Sequence, residues 1–484
     1  MKMRKWLVLV VMLGLCGSLR AEPQDVDLDL DKHLGTRWYG VYIGGKKSGY
    51  AVDKSRKIKH DGRDAYKFSM DLDITISMMG HVQKLQTSEY RIYYDSGPMA
   101  ECGATLGAQS WLGVMQGKTL KLITTMSGVK SEKAIPAPGV SLNDEIAPLR
   151  LIMGKPKLGD SVECRTFSPM IGKELSAVVT VIDRKTVMFG GVETDVYEIN
   201  TNIKEMGFNS SALITQDAEM LQFTLPAGGM KVVLKLQDEK SAKDPSVEAV
   251  EMLDASTIHP AGKAPRGMRE KLKLRVTGLK NKESIINDER QRYRKLDDGS
   301  YEVTLQRGAF PKTSPSIPMQ DADLQEYTKA TELYQSEHPD VVKKAREIVG
   351  DTKNSARVAQ ALCLWVYTNV AKRGTVMVSN ALETLQSMEG DCSEHAALFV
   401  GLCRAVGLPA RVANGIAYSS DLGAFGGHAW AEVYVGQWVA VDPAFGEPIA
   451  SASRIKFADD DLLQTARLLQ IIGDLKIEFV QPDE

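Results

Sequence analysis

The chain has 484 residues, which by length alone suggests about three domains. Its 60 basic and 62 acidic residues leave a formal net charge of −2, which argues against a nucleic-acid binder. It contains no low-complexity tract.

The first residues read as an export signal. Lys2, Arg4 and Lys5 precede an apolar run from Trp6 to Leu15, and small residues follow as far as Ala21. This is the pattern of a secretory signal peptide over 1–21, so the mature chain is expected in the periplasm or outside the cell. Cys16 raises a lipoprotein alternative, but Leu15 is bulky where a lipobox wants a small residue. The apolar run is short for a bilayer span, and no other stretch reads as a membrane segment.

Residues 22–237 read as a β-rich domain. Trp38 to Ile43 and Tyr50 to Lys57 flank a turn at Gly44-Gly45-Lys46-Lys47, a hairpin signal. Ala65 to Ser77, Gln83 to Tyr94 and Leu120 to Thr125 continue as strands. Lys54 to Ile74 and Val181 to Ile203 echo one another, each reading strand, Gly turn, strand, which suggests two similar antiparallel units. His60 and His81 are isolated, and the region offers no evident chemistry. Residues 238–320 read as a connecting segment, with a short helix over Val247 to Leu253, strands at Leu272 to Val276 and Tyr301 to Gln306, and a linker from Pro311 to Pro318. Beyond Asp321 helices are expected at Leu324 to Ser336, Asp340 to Val349 and Ser355 to Val370.

The chemistry gathers between Gly390 and Pro443. Asp391 followed by Glu394 reads as a capping box, which puts Cys392 at the first helical position. There the helix dipole favours thiolate, while the two carboxylates oppose it. The helix is apolar nearly all round from Ala396 to Cys403 and ends at Gly407 and Pro409. Arg411 to Tyr418 reads as a strand and Asp421 to Gly427 as a loop. From His428 to Val435 the chain alternates, with His428, Trp430, Glu432 and Tyr434 on one face. Trp438 to Asp442 returns, and Pro443 stops the ladder. A thiol nucleophile needs a base and the base needs an orienting partner; His428 and Asp442 can supply both.

Four blocks then resemble the transglutaminase-like superfamily. They are Gly390-Asp391-Cys392-Ser393-Glu394-His395-Ala396, Arg404 to Arg411, His428 to Tyr434, and Trp438 to Pro443. The resemblance implies an α+β, papain-like domain over 321–484, preceded more loosely by an antiparallel β region. It also implies acyl transfer through Cys392, His428 and Asp442, with a protein or peptide substrate, of the cell envelope among others, and no cofactor. Hydrolysis is favoured over transfer to an amine, since nothing marks an amine site and water needs none. The alternative is a non-catalytic binding module for a protein or cell-wall ligand.

Other residues carry secondary expectations. Trp430 is expected to wall the cleft, and Glu394 to cap the helix and contact substrate. Gln386, six residues before Cys392, has the spacing of an oxyanion donor, although the backbone N–H of Cys392 is the safer one. His395 could touch Cys392 from the same helix. No metal site is expected: Cys403 lies three turns from Cys392, and Asp459-Asp460-Asp461 reads as a solvated helix start. Five cysteines remain after the leader. Cys102 and Cys164 are open to a disulfide, whereas Cys363 and Cys403 read as buried apolar residues.

Strand parity restricts the reading further. If Val435 pairs with Trp438 around two residues, Asp442 points away from His428. If Tyr434 pairs with Trp438 around Val435 to Gln437, Asp442 opposes Trp430 and lies diagonally beside His428. The proposed chemistry requires the odd loop or a bulge, with Gly436 or Gln437 at positive φ.

Overall fold

A computed structural model describes residues 28–480 apart from 79, 96, 127, 228–229, 253–256, 267–268, 280–285, 375–379 and 460–472. The expected leader over 1–21, Cys16, and Asp460 and Asp461 therefore lie outside the described residues. The described chain divides into two compact units between Glu251 and Met252. It is α+β, with a large antiparallel sheet in the first unit and a mixed second unit.

The first unit is built on one long sheet. Its strands are β1 (Gly35–Ile43), β2 (Lys46–His60), β3 (Arg63–Met78), β4 (His81–Tyr94), β5 (Met99–Leu106), β6 (Gln109–Gln116), β7 (Thr119–Met126) and β8 (Val129–Pro136). A second run follows: β9 (Ser161–Ser168), β10 (Lys173–Phe189), β11 (Val192–Ile203), β12 (Phe208–Thr215), β13 (Met220–Ala227) and β14 (Met230–Gln237). Each run is a meander of sequential neighbours, and β1 pairing with β14 joins the two. Lys54–Ile74 and Val181–Ile203 both fall in long hairpins, β2–β3 and β10–β11. Between the runs lie two short helices, α1 (Leu142–Glu145) and α2 (Ala147–Met153); α3 (Glu239–Ala242) follows β14. The helix expected over Val247–Leu253 is replaced by β15 (Val250–Glu251), which pairs with β3, while Leu253 is not among the described residues. Cys102 and Cys164 are buried, and no disulfide joins them. Cys102 packs in an apolar cluster with Tyr93 and Leu120, and burial pushes its thiol up to about 12.

Among the described residues the second unit carries two four-stranded sheets, a two-stranded pair and four α-helices. The segment read as a connection supplies β16 (Lys271–Thr277), β17 (Gln291–Lys295) and β18 (Tyr301–Gln306), and the C-terminal strand β25 (Lys476–Phe479) completes their sheet. Next come α4 (Pro339–Val349) and α5 (Ser355–Asn369), then the short pair β19 (Ala371–Lys372) and β20 (Glu389–Gly390) around α6 (Ala381–Ser387). Helix α7 (Cys392–Ala405) leads into β21 (Ala410–Ser419), β22 (Ala424–Tyr434), β23 (Trp438–Val441) and β24 (Arg454–Ala458), ordered β23-β22-β21-β24.

Helix α7 is the core of this unit. Twelve of its residues are buried, Phe399, Val400 and Leu402 completely. They pack with Leu362 and Val366 of α5 and with Ala431 and Val433 of β22. Cys363 and Cys403 belong to the same apolar cluster, as the sequence suggests.

Two local expectations fail for tertiary reasons. No helix spans Leu324–Ser336; only a 3-10 turn forms over Ala322–Tyr327. Backbone carbonyls there serve other groups: Lys329 O accepts from Arg404 Nη1 at 2.9 Å, and Leu333 O from Ala381 N at 2.9 Å. The loop expected up to Gly427 ends sooner, because Ala424 to Gly427 already pair with β21. His428 therefore sits in mid-strand rather than at a strand start.

The β22–β23 hairpin takes the odd register. Tyr434 pairs with Trp438 and Ala431 with Val441, around Val435 to Gln437. Gly436 turns the loop at φ +101°, a conformation that favours glycine. Replacing Gly436 by Ala should destabilise this unit by about 1–2 kcal/mol, read as a lower urea midpoint; an unchanged midpoint would show that the loop does not need this conformation.

Candidate functional site

Cys392, His428 and Asp442 converge from three elements. Cys392 opens α7 and is 5% exposed. The cap forms as the sequence predicts: Ser393 N donates to Asp391 Oδ1 at 2.8 Å, and Asp391 N to Glu394 Oε2 at 2.8 Å. Gly390 is required for this closure, since a Cβ there would lie 2.2 Å from Glu394 Cβ. Glu394 is fully buried in its capping role. The N–H of Cys392 itself finds no acceptor among the described residues.

His428 lies on β22, packed against α7, and Asp442 follows β23. The His428 Nε2–Asp442 Oδ2 distance is 2.6 Å. A tight turn fixes Asp442, whose N–H and C=O exchange bonds with Glu447 at 2.8 and 2.9 Å. Its Oδ1 accepts from Ala444 N and Phe445 N at 3.0 and 3.1 Å. With Nε2 engaged, Nδ1 is the ring nitrogen left for the sulfur.

The ionisation of the three groups is linked. Burial opposes the charged form of Asp442, but Arg454 and His428 outweigh it and hold the carboxyl far below its ordinary range. Burial would lower the pKa of His428, yet the charges of Asp442 and Cys392 raise it above the ordinary value. For Cys392, burial favours the thiol and the His428 charge favours the thiolate.

Two site residues escape sequence reasoning. Arg454, fully buried on β24, places Nε 2.7 Å and Nη2 2.6 Å from Asp442 Oδ2. It also meets Glu447 at 2.9 Å and Ser451 Oγ at 2.5 Å. Phe445 stacks on the His428 ring, with centroids 4.7 Å apart and planes 13° apart. No local pattern marks Arg454, because an arginine in a strand ordinarily faces water. Phe445 follows Asp442 within the turn, and only its proximity to Pro443 could have drawn notice.

The remaining expectations are redistributed. Trp430 stacks near His428 with centroids 6.2 Å apart, but it is 0% exposed, among Ala413, Ala440 and Ala450. It therefore cannot wall an open cleft; Phe445, 39% exposed, is the aromatic at the surface beside His428. Gln386 is exposed near the end of α6. His395 turns away from the sulfur: Nδ1 lies 2.7 Å from Asp391 O and Nε2 3.2 Å from Val370 O. Glu432, on the same strand face as His428, is buried between Lys456 and Arg411 at 2.7 and 2.8 Å. No cluster of three metal-ligating side chains occurs among the described residues.

Residues 342–443 match the family model of the transglutaminase-like superfamily. A Haemophilus influenzae protein described as uncharacterized is 28% identical over 193 residues, 34% of this chain. The chain spans about half the length of that curated relative, 52%. Among solved structures, a candidate cysteine protease of Cytophaga hutchinsonii is 19% identical, covering 43% of this chain and 81% of its own, at a TM-score of 0.31. A β-barrel-like protein of domain family DUF1849 from Brucella abortus is 8% identical, covering 42% and 94%, at 0.32. At such identities and scores neither bears on activity. The match over 342–443 encloses Cys392, His428 and Asp442, and this segment of the chain is a transglutaminase-like core domain.

Proposed function

We propose that the chain is an exported cysteine-dependent acyl-transfer enzyme acting on peptide or carboxamide bonds. The observation that carries the reading is the convergence of Cys392, His428 and Asp442, with Asp442 held 2.6 Å from His428. The Cys392 thiolate attacks the carbonyl carbon, and the oxygen takes up negative charge beside the unused N–H of Cys392. The C–N bond breaks as His428 passes its proton to the leaving nitrogen, which leaves an acyl-thioester. Water then gives a proton to His428 and attacks the thioester, releasing acid and thiolate. Asp442 holds the imidazole and stabilises its charged form. Transfer to an amine would use the same thioester, with the amine in place of water. Hydrolysis is the simpler course, because it needs no second substrate. Export agrees with the sequence of the leader; among the described residues no helix is long and apolar enough to cross a membrane. An activity-based thiol probe on the mature protein, followed by peptide-library profiling, tests the class; a probe that labels the unfolded chain alone would overturn it.

A thiolate–imidazolium pair sets the reactivity of Cys392. A free thiol with a pKa of ~8.5 is almost wholly protonated at about pH 6, whereas the raised pKa of His428 keeps the imidazolium present there. Iodoacetamide should therefore label Cys392 at pH 6 at least roughly tenfold faster than in His428→Ala. Equal, slow labelling in both would favour the binding-module reading.

Arg454 tunes the pair through Asp442. Its charge is the largest contribution holding the Asp442 pKa down against burial. A depressed carboxyl pKa contributes stability above the unfolded pKa and loses it as pH falls through the folded one. Arg454→Met should move the acid limb of Cys392 labelling upward by roughly one pH unit and cost about 3–5 kcal/mol of stability, as for a broken buried pair. Arg454→Lys, which retains the charge, should keep the acid limb near its original position. The same shift in both variants would remove charge as the cause.

A further inference from the structure

A second constellation of buried charge lies in the first unit, among residues that the reaction above does not use. The sheet curls around a cavity of about 190 Å³. Alternate residues of β4 point into the interior: Thr87, Glu89, Arg91 and Tyr93 are all at most 4% exposed. Phe68 and Met70 of β3 and Phe223 and Leu234 of β13 and β14 add an apolar wall. The partly exposed His33, Leu34 and Arg37 form the mouth.

The charges do not balance. Three carboxyl groups, of Asp53, Glu89 and Glu145, line the cavity with two guanidinium groups, of Arg37 and Arg91. Arg37 takes Asp53, with 3.6 Å between Nη1 and Oδ2. Arg91 is shared: Nη2 meets Glu89 Oε1, and Nη1 lies 3.7 Å from Glu145 Oε2. That Glu145 oxygen also accepts from Tyr93 Oη at 2.9 Å. The other oxygen of Glu89 is buried with no hydrogen-bond partner among the described residues. Leaving a carboxylate oxygen dry and unpaired is costly, so such an atom calls for a donor from outside the chain. Burial, partly offset by Arg91, pushes the Glu89 carboxyl up to about 6. Burial does the same to Asp53, also to about 6.

We infer that this cavity is a binding site for a small organic amine, whose ammonium group pairs with the Glu89 carboxylate and whose short apolar arm lies against Phe68, Phe223 and Leu234. A cation supplies the missing charge as well as the missing donor; an anion or a neutral apolar ligand supplies neither. A bare metal ion would demand oxygen ligands gathered on several sides, and among the described residues the three carboxyl groups form no such cluster.

The probe is n-butylamine, with 1-butanol as the uncharged control, titrated calorimetrically into the full mature chain at pH 7.5 and pH 5.0. Saturable binding of one n-butylammonium per chain is expected at pH 7.5, with 1-butanol at least tenfold weaker. At pH 5.0 a carboxyl with a pKa near 6 is only about one-tenth ionised, so amine affinity should fall roughly tenfold. Burial also raises the carboxyls of Asp53 and Glu145, so both protonate in the same direction and add to that loss; the other titratable or charged groups facing the site are His33, Arg37, Tyr39 and Arg91 on the cavity and Tyr93 on Glu145. Glu89→Gln should lose the amine at least tenfold while keeping its circular dichroism spectrum. No saturable binding, equal binding of 1-butanol, or affinity unaffected by pH would each overturn the site. Should Glu89→Gln not fold, the wild-type comparisons of amine with alcohol and of the two pH values still decide it.

Discussion

The carboxylate of Asp442 is the point on which the second unit turns. It is wholly buried, and every lone-pair direction it offers is used: His428 and Arg454 at one oxygen, two backbone N–H groups at the other. A buried carboxylate is tolerated only when paired in this way. Its partners come from β22, β24 and the turn after β23, so one charge fixes three pieces of backbone against each other. The imidazole is aligned as a consequence of satisfying the aspartate.

The sulfur is positioned by a different device. Cys392 is fixed by the cap of α7, and α7 is fixed by apolar packing on nearly every side. The cap uses Asp391 and Glu394 for backbone donors and leaves the N–H of Cys392 over. The sulfur and an N–H without an acceptor among the described residues therefore sit on one residue, at the positive end of a helix that cannot easily shift. Polar satisfaction places the imidazole and apolar packing places the sulfur; the two meet because α7 packs directly on β22.

What could be read from sequence follows from this division. Cys392, its cap and the apolar helix are local patterns, and period-two alternation placed His428 on one face of its strand. Parity reduced the hairpin to two registers, and the observed Tyr434–Trp438 pairing is the one that brings Asp442 beside His428. Arg454 left no such trace, since its burial depends on a carboxylate twelve residues away along the chain. Leu324–Ser336 misled because Arg404 and Ala381 claim its carbonyls, a fact that no helical periodicity contains. Trp430 misled in the same sense: its neighbour on the strand is the site histidine, yet the strand buries it behind that residue.

The charged interior of the first unit was illegible for the reason Arg454 was. Glu89 and Arg91 alternate with Ser88, Tyr90 and Ile92, and a strand carrying Glu and Arg on one face reads as having that face in water. Here the sheet curls and the charged face turns inward. The two cases differ in how completely the burial is compensated. Around Asp442, charge and hydrogen bonds close, and the carboxyl is held ionised. Around Glu89 they do not close, and the carboxyl is pushed towards its neutral form. Compensation marks a group whose charge the fold itself requires, and a deficit marks one that awaits a partner. On that criterion the two units are built for different tasks: one is complete around its charge, and the other is open to a cation.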